Sequence, residues 1–471
     1  MKKIIIDPLT RISGLLKIEV EVENNKIVEA RSTGSQFRGF ENILQGRNPF
    51  DAIRIVPRVC GICSTSHAIA SVYAMEEAFN VKPDFNGVVV RDIVHGFELL
   101  QNHLRTTYFF AFPDFVDIQG PNPLSKGGSD TELDYRLPED LTKKINSDYL
   151  EAIKYSREAH RAIAVLAGKA PHCHGVWIGG ITTNIDIFKV DQIRYIATSI
   201  KDFITNKLVE DINIIAKYYS EYFNIGKGYG NLMDFGLYEN YPDSIKGSKP
   251  AVIINENKEK LDINNIKEDL SSSYLNISND EVIPGISEIP VPDAEKLGAY
   301  SWVTSPRYKG YAVEGGPLAR MIINGYYNNK ISMMDRAMAR VLESEIIINN
   351  ILELLILVKL GSPAQQPWSI PKEGKGIGLT AAARGNLAHF VNIKDYKISN
   401  YTLIPPSTWN FSPKDKKGVR GPVEEALVGV EINDMNNPVE IGRIVRSFDP
   451  CLNCAAHVVS DRYEPMEINI V

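Results

Sequence analysis

The chain opens on alternation. Residues 4–6 are apolar, residues 15–22 alternate apolar and polar, and residues 26–30 do so again after a Glu23-Asn24-Asn25 turn. Period-two patterning around a tight polar turn predicts short antiparallel strands. After Cys63 the period changes. Residues 67–79 are Ala-rich with apolar side chains at i, i+3 and i+4, the mark of a helix. Longer helical patterns follow over 92–110, 147–167, 190–223 and 332–360, the last opened by the start signal Ser332-Met-Met-Asp335. Residues 120–141 are rich in Gly, Pro and Asp and read as loop. Residues 245–290 are polar, Asn- and Lys-rich, and read as a peripheral insertion with short strands; residues 427–432 read as a strand. No linker or internal repeat divides the chain. The pattern predicts an α+β, predominantly helical fold, a long-helix core with peripheral β-structure.

Composition narrows this picture. With 471 residues, 44% of them hydrophobic, the chain can bury a large core. A net charge of -6 and a pI near 5.9 argue against a nucleic-acid partner. The apolar stretch in MKKIIIDPLTR is too short for a secretory signal. The run 346–360 carries Asn349, Asn350, Glu353 and Lys359, which suits a buried helix rather than a membrane span.

Four of the five cysteines form two pairs, in RVCGICSTSH (58–67) and SFDPCLNCAAH (447–457). Each Cys-x-x-Cys turn brings two thiolates together, and soft sulfur selects zinc, iron or similar late metals. Spacing alone leaves three readings open. A structural four-cysteine zinc site is one. A thiol–disulfide pair is another, although it needs only one Cys-x-x-Cys. The third is a functional metal site built from both ends of the chain. Cys173, between His172 and His174, reads as a buried cysteine rather than a second metal site. The Gly-rich KEGKGIG (372–378) lacks the ending of a phosphate loop.

The flanking residues discriminate. Arg-x-Cys-Gly-x-Cys-x-x-x-His and Asp-Pro-Cys-x-x-Cys-x-x-His, in this order, resemble the two signatures of [NiFe] hydrogenase large subunits, of the respiratory, uptake-like branch. DPLTRISG (7–14), FRGFENILQGRNPFDA (37–52), GKAPHCHGVWIGG (168–180), SWVTSPRYKGYAVEGGPLAR (301–320), RGNLAHF (384–390), PPSTWNFSPKD (405–415) and GPVEEAL (421–427) extend the resemblance over almost the whole chain.

The resemblance implies that Cys60 and Cys451 are terminal nickel ligands and that Cys63 and Cys454 bridge nickel to an iron carrying CO and two cyanides. A terminal thiolate then accepts a proton as H2 splits heterolytically. It implies that His67 hydrogen-bonds a bridging sulfur. Arg384, Asp114 and Asp449 form a polar canopy over the open metal position, and Ser407 donates to a cyanide. Glu41, the carbonyl of Leu403 and His457 hold magnesium. It also implies an iron–sulfur small subunit to take the electrons, because no further cysteine set remains for a cluster. A membrane cytochrome or another acceptor would follow that subunit. The implied catalytic unit is residues 1–457. Residues 458–471 are a propeptide cut after His457 by a maturation endopeptidase, once insertion factors have delivered nickel. The expectation for localisation is synthesis in the cytoplasm without a signal of its own, with membrane association or export through the small subunit.

Two motifs depart from the family. Ser13 in RISGLL stands where the family has a proton-relaying glutamate, and Leu15 where it has histidine. Ala381 and Ala383 in AAARG stand where the family has Glu and Pro. The competing expectation, a non-catalytic hydrogenase-like subunit of an electron-transfer complex, belongs to a lineage that has lost these cysteines.

Overall fold

The computed structural model describes residues 2–118, 134–328, 330–361 and 364–455, with the backbone alone at 454 and 455. The side chain of Cys454, His457 and the tail 458–471 lie outside the described residues, as does most of the expected loop at 120–141.

The N-terminal alternation folds as read. Strands β1 (Lys2–Ile6), β2 (Leu16–Glu23) and β3 (Lys26–Gly34) form an antiparallel sheet in that order. Leu16, Ile18, Val20 and Val22 all point inward and are buried.

Helix α1 (Ser64–Phe79) starts directly after Cys63. Its first amides are satisfied from a neighbouring helix, because Glu98 accepts from the Thr65 amide at 2.5 Å and the Ser66 amide at 2.8 Å. A carboxylate there also complements the positive end of the helix dipole. Glu98 belongs to α2 (Phe85–Leu104), which is buried along almost its whole length and continues into a wider π-helical turn, Arg105–Ala111. Such widened turns recur at functional sites. Helix α3 (Glu139–Ala167) packs along α2. The expected helix at 190–223 is broken: α4 (Ile187–Phe203) passes through a π turn at Ile204–Leu208 into α5 (Val209–Tyr218). Helix α6 (Met333–Leu357) also packs on α2, and it starts where the sequence signals, with Ser332 Oγ accepting from the Asp335 amide at 3.0 Å. The 245–290 region holds short strands, as expected.

One expectation needs correction, the strand at 427–432, and part of the β-structure also reaches the helical core. An antiparallel meander of β4 (Glu373–Ala382), β5 (Gly385–Lys394) and β6 (Lys397–Ile404) lies directly on α1. Its glycines explain how. A Cβ on Gly374, Gly376 or Gly378 would sit 2.4, 1.9 or 1.8 Å from the carbonyl oxygens of Ala78, Ala74 and Ala70. Four helical residues rise about 6 Å and two strand residues about 6.8 Å, so the glycine stripe and the alanine stripe stay in step. Residues 427–432 are not a strand. Helix α7 (Pro422–Leu427) occupies the start of that stretch, with Pro422 at its first position and Glu424 reaching back to the Gly421 amide, and only an isolated bridge from Lys26 to Glu431 follows.

Helix α8 (Val439–Ser447) leads into the second cysteine motif, whose first residues after Cys451 form a short helix, α9 (Leu452–Ala455). No helix among the described residues is long and apolar enough to cross a membrane.

Candidate metal centre

The two ends of the chain meet at one point. Ser13 and Cys451 form a parallel bridge: the Ser13 amide donates to the Pro450 carbonyl at 3.2 Å, and the Leu452 amide to the Ser13 carbonyl at 2.7 Å. Gly14 permits this approach. Its φ is +92°, and a Cβ there would lie 2.6 Å from the Asn453 amide nitrogen. Arg38 ties both cysteine turns together, donating to the carbonyl of Val59, which precedes Cys60, and to that of Asn453 at 2.5 Å.

In this junction Cys60 Sγ lies 3.3 Å from Cys451 Sγ, and the sulfurs of Cys60, Cys63 and Cys451 all lie within 4.8 Å of one another, buried. Metal–sulfur bonds of about 2.3 Å set sulfurs roughly 3.8 Å apart in a tetrahedral site, so three thiolates here suit one soft metal. Cys454, one helical turn beyond Cys451, belongs to the same motif, but its side chain is outside the described residues.

The surroundings are charged and dry. Arg384 follows β4 and is buried. Its Nη2 lies 3.0 Å from Asp449 Oδ1, and its Nη1 donates to Asn102 Oδ1 at 2.9 Å. Burial works against the guanidinium charge, but Asp449 and the three cysteines outweigh it and hold Arg384 firmly protonated. Its Nε and Nη2 have no hydrogen-bond partner among the described residues. Buried N–H groups are seldom left without an acceptor, and an anionic ligand on a thiolate-bound metal would supply one. Asp449 sits at φ +55°, a left-handed conformation that aspartate tolerates, immediately before Pro450. Ser407 Oγ accepts from the Cys451 amide at 3.0 Å, which leaves its O–H to donate.

His67 lies in the first turn of α1, fully buried. Its Nδ1 meets His389 Nε2 at 3.1 Å, His389 Nδ1 meets the Tyr401 hydroxyl at 2.8 Å, and Tyr401 donates to Ser71 Oγ at 3.2 Å. Burial pulls the His67 imidazole down to about 4. Its Nε2 has no described partner, consistent with a role toward a cage sulfur.

Asp114 departs from the canopy expectation. Its carboxylate pairs with Arg11 and with Arg446, at 2.6 and 2.7 Å to Arg446, while Arg384 is paired with Asp449. Burial opposes its ionisation, but Arg11 and Arg446 prevail and hold the carboxyl at about 2. Asp114 therefore fastens the N-terminal segment to α8. A carboxyl depressed in the folded state stabilises above its unfolded pKa, near 4, and loses that contribution as pH falls toward 2. Asp114→Asn leaves one buried and one part-buried guanidinium under-paired and is expected to cost about 3 kcal/mol, read as a lower thermal midpoint; an unchanged midpoint would refute the clamp.

Glu41 and Leu403 line a cavity of about 70 Å³, which they share with Glu268. The Leu403 backbone hydrogen-bonds the Glu41 carboxylate, and burial pushes Glu41 up to about 7. Burial, reinforced by Glu41, pushes Glu268 up to about 7 as well, against a bond from Thr304. Two carboxyls and a main-chain segment in one enclosure suit a hard divalent cation. Cys173 is buried, its thiol pushed up to about 11 by burial, and it joins no metal-ligand group among the described residues.

The sequence reading missed Glu268, Asn102 and Arg105. Burial weakens the Arg105 charge, and Arg105 shares the field of Arg384, Asp449, Cys60 and Cys451. A signal existed for part of this group. Glu98, Asn102 and Arg105 follow i, i+4, i+7 spacing, a polar stripe in an otherwise buried pattern. Glu268 lies in the polar insertion and had none.

The family model for nickel-dependent hydrogenases matches residues 38–126, 129–333 and 327–457. The chain is 35% identical to the periplasmic [NiFeSe] hydrogenase large subunit of Desulfomicrobium baculatum, over 97% of this chain and 95% of that protein. It is 30% identical to the hydrogenase-2 large chain of Escherichia coli over the full length of both. Its fold superposes on the Ni-Fe-Se hydrogenase of D. vulgaris Hildenborough with a TM-score of 0.93 at 35% identity, covering 97% of this chain and 100% of that one. With three buried thiols gathered under Arg384, these likenesses place the chain in the nickel-dependent hydrogenase family, among its large subunits.

Proposed function

We propose that this chain is the catalytic subunit for H2 ⇌ 2 H+ + 2 e−, with nickel held by Cys60, Cys63, Cys451 and Cys454. Cys63 and Cys454 would also hold an iron carrying CO and two cyanides. The observation that carries the reading is the buried three-sulfur cluster, drawn from both ends of the chain, beneath a guanidinium with unpartnered N–H groups. When bound, the metals supply the electron sink and the Lewis acidity that polarise H2.

The residues supply the rest. Cys451 Sγ is the proton acceptor. Ser13 Oγ stands 3.6 Å from it and also accepts from Asn453 Nδ2 at 3.1 Å, so the hydroxyl is held in place to pass a proton onward. A serine hydroxyl transmits a proton but does not store one near neutral pH. Arg384 presents fixed positive charge in a site closed to bulk water, with Asp449 as its counter-ion. Ser407 O–H and His67 Nε2 hold the bound centre from two further sides. Glu41, the Leu403 carbonyl and His457 take magnesium, with Glu268 as an additional carboxyl in the same cavity.

Electrons leave through an iron–sulfur small subunit, a reading supported by relatives named large subunits or large chains. The acceptor beyond it, a membrane cytochrome or another carrier, fixes where the complex sits. Maturation is proposed to end with nickel insertion and cleavage after His457.

Infrared spectroscopy of the matured complex, with nickel and iron counted on the same sample, tests the centre. One CO band and two cyanide bands with near-stoichiometric nickel are expected. Zinc without those bands would reduce the cysteines to a structural staple. Ser13→Ala is expected to slow H2-dependent dye reduction by about a hundredfold while leaving the bands in place. Unchanged turnover would remove Ser13 from the proton route.

A further inference from the structure

Asn102 is fully buried in the middle of the site and has no assigned role. It lies on α2, one turn beyond Glu98, whose carboxylate closes the start of α1. Its Nδ2 donates to the carbonyl of Ile62, inside the Cys60-x-x-Cys63 turn, at 2.9 Å, and to the Glu98 carbonyl at 2.8 Å. Its Oδ1 accepts from Arg384 Nη1 at 2.9 Å. The amide can point only one way. Reversed, it would set NH2 against a guanidinium and oxygen against two carbonyls.

Arg384 has no other side-chain hydrogen bond among the described residues. Asp449 supplies charge at 3.0 Å, yet both Asp449 oxygens lack a hydrogen-bond partner. The bond to Asn102 therefore sets the rotation of the guanidinium plane, with Nη2 beside Asp449 and with Nε and Nη2 lacking a hydrogen-bond acceptor among the described residues. The same amide grips the turn that carries two of the sulfurs.

We propose that Asn102 is a positioning residue that keys Arg384 to the Cys60–Cys63 turn, so that guanidinium and sulfurs keep one fixed separation. This rests on the nickel–iron reading above. A side chain that only packed α2 would need neither acceptor nor donor here, and an apolar residue would cost less to bury. Misplacing a positioned group by about 1 Å costs on the order of a hundredfold in rate.

The test compares wild type, Asn102→Ala, Asn102→Asp, Arg384→Ala and the Asn102→Ala/Arg384→Ala double variant, each as the matured complex. Nickel content, infrared cyanide bands and nickel-normalised H2-dependent dye reduction are read on every sample. Asn102→Ala is expected to keep nickel, to shift or broaden a cyanide band, and to lose about ten- to a hundredfold in turnover. Asn102→Asp keeps the acceptor for Arg384 but sets an oxygen against the Ile62 and Glu98 carbonyls, so it is expected to keep nickel and to recover only part of that loss. In the Arg384→Ala background the Ala substitution should move the cyanide bands no further, because a residue acting through Arg384 has nothing left to act on. Wild-type bands and turnover in Asn102→Ala would overturn the proposal. So would equal loss of nickel in the Ala and Asp variants, or band shifts that add in the double variant. A wild-type complex with nickel absent and no CO or cyanide bands would bring down the nickel–iron reading itself, and this inference with it.

Discussion

Cys60→Ser and Cys451→Ser chains will be recovered with little nickel and no H2-dependent dye reduction above background. The two sulfurs lie 3.3 Å apart and come from opposite ends of the sequence, so no nearby donor can move into either place. Cys173, the remaining cysteine, is buried away from the cluster and its thiol resists ionisation. Serine offers a hard oxygen with a far higher pKa than a thiol, a poor ligand for a soft metal. The effect reaches beyond the ligand count. Arg384 is buried, and Cys451, Cys63 and Cys60 are among the groups that sustain its charge. Nickel and iron determined by mass spectrometry, beside dye reduction on the same preparation, decide it. A Cys60→Ser chain with full nickel and normal turnover would dismiss the four-cysteine site.

Arg384→Lys comes second in magnitude. Its nickel content is expected to stay near wild type while turnover falls by about a hundred- to a thousandfold, the usual result of removing one pre-set donor from a dry site. Lysine keeps the charge but loses the fork. A single ammonium cannot hold Asn102, face Asp449 and still keep further N–H groups in a fixed plane, as the guanidinium does. Arg384→Ala is a harsher test, because it takes from the buried Asp449 its ion-pair partner at 3.0 Å. Turnover per nickel is the deciding quantity, and an Arg384→Lys complex at the wild-type rate would show that the guanidinium does not face the reacting atoms.

The N-terminal strands and helix α3 were readable because their burial is one-sided. β2 shows inward residues at every second position, and α6 announces its start through Ser332. The meander β4–β6 was not readable, because its first strand uses glycine where a strand normally uses a β-branched residue. Only the alanine stripe of α1, roughly 300 residues earlier in the chain, gives those glycines their meaning. The site divides in the same way. Cys60, Cys63, Cys451, Arg384 and Ser407 sit in short motifs whose residue types and spacing stand out before their distant partners are known. Asp114 sits in a motif too, but its partners, Arg11 and Arg446, are distant in sequence, and that long-range pairing redirected it from the canopy to a clamp. Asn102 and Arg105 carry no local signal beyond a polar stripe, because their partners come from other segments.

The junction of Ser13 with Cys451 also orders events in time. Cys60 and Cys451 are separated by 391 positions. At ordinary translation rates that interval lasts about 20 to 80 s. Throughout it, Cys60 and Cys63 exist without the segment that seals them, and Ser13 lacks the neighbour it will bridge. The pocket cannot close around an early cargo, because the segment that seals it is made 391 positions later.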